Sequence, residues 1–92
     1  MFIAYIGDEA RDEVVKLASR LRQGGIGVIE AIGSKSLKAQ LRQANNLGAG
    51  YTVIIGEEEV KSGTVILRNM TTSEQKTIPL PQLQEILRQR NT

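Results

Sequence analysis

GSKSLKAQLRQANNLGAGYTVIIG, residues 33–56, reads as a turn, a helix, a second turn and a buried strand, and that order decides the fold. Gly33 and Ser34 break the preceding apolar run, and Ser36 suits an N-cap. Leu37, Leu41, Ala44 and Leu47 then recur at helical spacing until Gly48 stops the helix. That stripe is expected to be core. The opposite side carries Lys35, Lys38 and Arg42, and no acidic residue lies between Glu30 and Glu57 to neutralise them. A purely basic helix face that opens on backbone N–H groups suits an anion such as a phosphate chain. A solvated helix face is the other reading of the same residues.

Upstream, Phe2 to Ile6 is a short apolar run ended by Gly7-Asp8, the pattern of a strand buried on both faces. Asp8 is expected to cap a helix with Glu9, Asp12 and Glu13 early and Lys16, Arg20 and Arg22 late, matching the macrodipole at both ends. Ala10, Val14, Leu17, Ala18 and Leu21 form its inward stripe, Gly24-Gly25 stops it, and Asp12 and Lys16 are placed to pair at i, i+4. Gly27 to Ile32 reads as the second strand and Tyr51 to Ile55 as the third. Successive strand-helix-strand units imply parallel pairing with right-handed crossovers.

Downstream, only eight residues separate Ile55 from Thr64, too few for another crossover, so Thr64 to Arg68 is expected to run antiparallel. Asn69 to Glu74, NMTTSE, is a polar hairpin connection to Gln75–Ile78, an edge strand because Pro79 cannot donate to a ladder. Pro81 opens a final helix with Leu80, Leu83, Ile86 and Leu87 inward, and Asn91-Thr92 should fray. The expected architecture is a three-layer α/β/α domain over residues 1–92: a five-stranded mixed sheet, its fourth strand antiparallel, with three helices.

The composition, 40% hydrophobic and 24% charged in 92 residues, is that of one ordinary globular domain. A net charge of +2 is too small to mark a nucleic-acid binder by its total, so distribution must decide. The sequence has no cysteine and no histidine, which excludes a disulfide frame, thiol nucleophiles, histidine acid-base chemistry and the usual zinc sites. No apolar run approaches the roughly 20 residues of a membrane span, and Met1–Ile6 lacks the basic start of a signal peptide. A soluble, cytoplasmic domain without membrane contact is expected.

Gly56-Glu57-Glu58-Glu59-Val60 sets three carboxylates after a buried strand, where α/β folds place ligand sites. They could serve a hard metal or acid-base chemistry, yet no nucleophile or second ligand cluster accompanies them, and a solvated turn explains them better. A carboxylate there could instead accept from the exocyclic amino group of a base. Arg68 shares a strand face with Thr64 and Ile66, either as a ligand contact or as an edge-strand charge that deters aggregation. Gly24-Gly25-Ile26-Gly27 follows a helix, so it is not a dinucleotide fingerprint. Phe2, Tyr5 and Tyr51, the only aromatics, all fall in apolar strands, which argues against a base-stacking sheet.

Ser36 to Gln75 closely resembles the C-terminal anticodon-binding domain of class IIa aminoacyl-tRNA synthetases, and within that class most resembles histidyl-tRNA synthetase. The specific parts are the S-L-K-x-Q-L helix ending in L-G-A, the strand Y-T-V-I-I-G, and the block G-E-E-E-V-x-S-G-x-V-x-L-R from Gly56 to Arg68. The resemblance implies the same mixed sheet, a domain that holds the anticodon loop, and no catalytic residue, cofactor or metal of its own. A separate catalytic domain in a longer, homodimeric parent would use ATP and magnesium, and this domain would sit at that parent's C-terminus. By position, the resemblance assigns anticodon contacts to Glu59 and Arg68 and, at the turn before the second helix, to Ser34, Lys35 and Ser36. Lys35, Lys38 and Arg42 are assigned to backbone phosphates by charge. Ser73 stands where many relatives carry glycine. A similar domain also occurs in non-catalytic paralogues, including a regulatory subunit of histidine biosynthesis, where a protein-interaction role is the alternative.

Overall fold

The computed structural model describes residues 1–31 and 36–90, with Arg90 described by its backbone alone. Five strands, β1 (Phe2–Tyr5), β2 (Ile29–Glu30), β3 (Tyr51–Ile55), β4 (Thr64–Asn69) and β5 (Gln75–Pro79), form one sheet in the order β2-β1-β3-β4-β5. β1 pairs in parallel with β2 and β3, whereas β3–β4 and β4–β5 are antiparallel. This is the mixed topology expected from the connection lengths. Helices α1 (Asp8–Gln23) and α4 (Leu80–Arg90) cover one face, burying Val14, Leu17, Leu21, Leu83 and Leu87 against Ile3, Val53, Val65, Leu67 and Ile78. Helix α2 (Leu37–Asn46) covers the other, where Ala44 packs on Phe2, Ala4 and Ile54.

Five local features differ from the sequence reading. A fourth, six-residue helix, α3 (Glu57–Ser62), takes up the three carboxylates in place of a turn. Its N-terminus is closed by Glu59, whose Oε1 accepts from Gly56 N–H at 2.8 Å, and a Cβ on Gly56 would meet that oxygen at 2.9 Å. The second strand is only two residues long, paired with β1 at Phe2 and Ile3. The N-cap of α1 is Gly7 with no side-chain cap, Asp8 being the first helical residue, and Lys16 approaches Glu13 at 3.8 Å rather than Asp12. Leu47, expected in the core, is 54% exposed, because α2 ends at Asn46 and Gly48, at φ +72°, turns the chain so that Ala49 packs inward instead.

The inward position that periodicity missed is Gln40, only 1% exposed. Its Oε1 accepts from Tyr5 N–H at 2.8 Å and its Nε2 donates to Tyr5 C=O at 2.7 Å. β2 reaches only as far as Ile3 along β1, with Ala31 N–H donating to Ile3 C=O beyond it, so Tyr5 has no strand neighbour on that side. The glutamine amide stands in for the missing strand and ties α2 to the sheet.

Replacing Gln40 by Leu keeps an apolar body but leaves both Tyr5 backbone groups unpaired. It should lower the free energy of unfolding by about 3 kcal/mol in urea titration, and a loss below about 1 kcal/mol would contradict this role. Ser73 sits in the left-handed region at φ +65°, in the turn where its N–H donates to Asn69 C=O at 2.8 Å. Ser73→Gly should therefore raise stability by about 0.5–1 kcal/mol, a gain of several degrees in melting temperature; a decrease would contradict the strain argument.

Candidate anticodon-loop interface

Side-chain alternation divides the sheet into two chemically different faces. On β4 and β5, Val65, Leu67 and Ile78 point into the core under α1 and α4, and Lys76 shares their face but is exposed. Thr64, Ile66 and Arg68 face the α2 side, opposite Pro79, Thr77 and Gln75 respectively. α2 packs over β1 and the adjoining part of β3, and among the described residues no helix covers β4–β5 on that side. Gln75, Thr77 and Pro79 are accordingly exposed, and Ile66 and Arg68 half-buried.

Lys38 and Arg42 are exposed on α2, the helix that flanks this open face. α2 contains no acidic residue, nor does the α2-side face of β4–β5. The basic stripe seen in the sequence is thus continuous in kind with Arg68 on the sheet beside it. Arg68 Nη1 donates to Gln75 Oε1 at 2.7 Å, and its Nε is buried without a partner. So are Thr52 Oγ1, directly across the β3–β4 ladder from Arg68, and Gln43 Oε1 on α2. β4 is an interior strand, so Arg68 does not guard an edge.

Glu59 lies elsewhere. It lines a crevice of about 80 Å³ with Glu13, Leu17, Val60 and Leu80 on the α1 and α4 side, beyond the C-terminal end of β3. Arg68 pairs with Thr52 near the start of β3, so the two residues are separated by three strand positions or more, about 10 Å along the sheet, and lie on opposite faces. The structure does not bring Glu59 and Arg68 into one patch. Ser36 caps α2, its Oγ accepting from Ala39 N–H at 3.2 Å. Ser34 and Lys35 lie outside the described residues.

Gln75 was not singled out by the sequence reading, although counting outward from the NMTTSE turn places it opposite Arg68. A groove of about 540 Å³ along the β2 edge, lined in part by Val15, Ile29, Arg22 and Glu30, is bordered by an Arg22–Glu30 ion pair at 3.3 Å. Arg11 also lines it, but with Arg22 paired to Glu30 the groove, unlike the α2 side, mixes both signs of charge. Among the described residues no three His, Cys, Asp or Glu side chains are grouped to hold a metal ion, and no helix is long and apolar enough to cross a membrane.

Comparison with known proteins places this geometry in context. The anticodon binding domain family matches residues 1–90. Histidine–tRNA ligase of Dehalococcoides mccartyi is 54% identical over 83 residues, which are 90% of this chain and 20% of that protein. The same enzyme of Pelotomaculum thermopropionicum is 40% identical over all 92 residues, 22% of its length. The chain therefore spans about a fifth of these relatives. Histidyl-tRNA synthetase from Nostoc sp. PCC 7120 superposes with a TM-score of 0.91 at 28% identity, over 99% of this chain and 22% of that one. The Staphylococcus aureus enzyme superposes at 0.85 with 39% identity, over 92% of this chain and 25% of that one. With the family matched across nearly its full length, and with the mixed sheet of the solved synthetases, the chain belongs to the anticodon binding domain family and is homologous to the C-terminal region of histidine–tRNA ligases.

Proposed function

We propose that this chain holds the anticodon loop of histidine tRNA, as the C-terminal domain of a cytoplasmic, dimeric histidine–tRNA ligase. In that parent a separate catalytic domain would activate histidine with ATP and magnesium. The observation that carries the reading is the lack of any carboxylate on α2 and on the α2-side face of β4–β5, where Lys38 and Arg42 stand beside an open sheet face bearing Arg68. Exposed cations on a helix attract phosphates without regard to sequence, while a planar guanidinium on a rigid strand can read a base edge. Glu59 has Oε1 committed to Gly56, which leaves Oε2 to accept from a base amino group at the far end of the sheet. Ser34, Lys35 and Ser36 would meet the loop at the entrance to α2.

Filter-binding titration against histidine tRNA, and against the same tRNA with a changed anticodon, tests this directly. Preference for the cognate anticodon is expected, and equal, negligible binding of both at low salt would favour a protein-interaction domain instead. Lys38→Ala should weaken every tRNA alike and lower the slope of log affinity against log salt by about 0.7–0.9. Arg68→Met, which keeps the packed stem, should cost about 1–3 kcal/mol against the cognate anticodon and less against others. Glu59→Gln keeps an oxygen for Gly56, so melting temperature and salt slope should hold while cognate affinity falls by about 1–3 kcal/mol. An intact slope in Lys38→Ala together with a uniform loss in Glu59→Gln would contradict the assignment of phosphate to one and base to the other.

A further inference from the structure

An arginine that reads a ligand must hold its guanidinium plane, because a freely turning fork loses side-chain entropy on binding that a fixed one has already given up. Arg68 is restrained by burial of its stem side and by one hydrogen bond. Its Nε is buried between β4 and its neighbours, and Thr52 faces it across the ladder. Nη1 is tied to Gln75 Oε1 at 2.7 Å, a charge-assisted hydrogen bond across the β4–β5 pair. Of the two terminal nitrogens, Nη2 is then the one without a hydrogen bond among the described residues. The pairing depends on register. Asn69 N–H donates to Glu74 C=O at 2.9 Å, Asn69 Oδ1 accepts from Thr71 and Thr72 N–H at 2.9 and 3.2 Å, and the next pair outward from this turn is Arg68–Gln75.

We propose that Gln75 is a positioning residue for tRNA recognition: by accepting from Nη1, it orients the Arg68 guanidinium so that Nη2 meets an acceptor of the anticodon loop. The proposal rests on the reading of Arg68 as an RNA contact and adds a residue on a different strand to that site. Gln75 is exposed at the sheet edge and carries no charge, so it acts through Arg68 and not through the fold or the counterion atmosphere.

A double-mutant cycle separates these roles. Binding of a histidine anticodon stem-loop RNA is measured for the unaltered chain, Gln75→Ala, Arg68→Met and the double variant, with melting temperature recorded for each. Gln75→Ala should weaken binding about threefold to tenfold with unchanged salt slope and melting temperature, and should have no further effect once Arg68 is Met. In nitrogen-15 spectra of the free chain, rotation of the Arg68 guanidinium should be faster in Gln75→Ala than in the unaltered chain. An equal loss in both backgrounds, or no loss from Gln75→Ala where Arg68→Met weakens binding, overturns the proposal. If Arg68→Met has no effect, the proposal falls together with the base-reading role of Arg68. The salt slope of Lys38→Ala then tells separately whether the domain grips RNA through α2.

Discussion

The amide of Gln40 on the backbone of Tyr5 is the contact on which the arrangement of the other elements depends. β1 lies between β2 and β3, yet β2 is too short to reach its last residue. The partly buried Tyr5 N–H and C=O left open would cost up to a few kcal/mol. The glutamine satisfies both groups from a helix that crosses above the sheet. In doing so it fixes the position of α2 over β1, and with it the positions of Lys38 and Arg42 on the outer side of the same helix.

Because α2 is held over β1, it leaves β4 and β5 open on its own side. The opposite face has no such opening, since α1, α3 and α4 close over Val65, Leu67 and Ile78. One sheet thus has a covered apolar face and a half-covered polar one. The polar one receives the alternate residues of a strand whose inward positions are committed to the core. Arg68 is on the open side because Leu67 must be on the closed one.

Much of this was legible in the sequence, and the failures have physical causes. The helical stripes of α1 and α4, the largely apolar Tyr51–Ile55 strand and the eight-residue gap before Thr64 gave the topology, because each depends on local pattern. Gln40 was missed because its burial requires an unpaired backbone edge of β1, thirty-five residues away. Nothing in the helical period records that partner. α3 was read as a turn because GEEEV has too few apolar residues to show a period, and its order comes from a side chain, Glu59, reaching back to Gly56. The individual cations and Arg68 were visible as candidates, but their common side of the sheet, and the separation of Glu59 from it, follow from strand register. Gln75 needed that register as well.

The central claim is that the RNA phosphates and the base met by Arg68 lie on the α2 side of the sheet. Amide and side-chain chemical-shift mapping of the chain during titration with a histidine anticodon stem-loop RNA tests it most directly. Perturbations should concentrate at Lys38, Arg42, Ile66, Arg68, Gln75 and Thr77, with α4 silent. Perturbations confined to the groove at Val15 and Ile29, or to α4 around Leu83, with no change at Arg68, would contradict it.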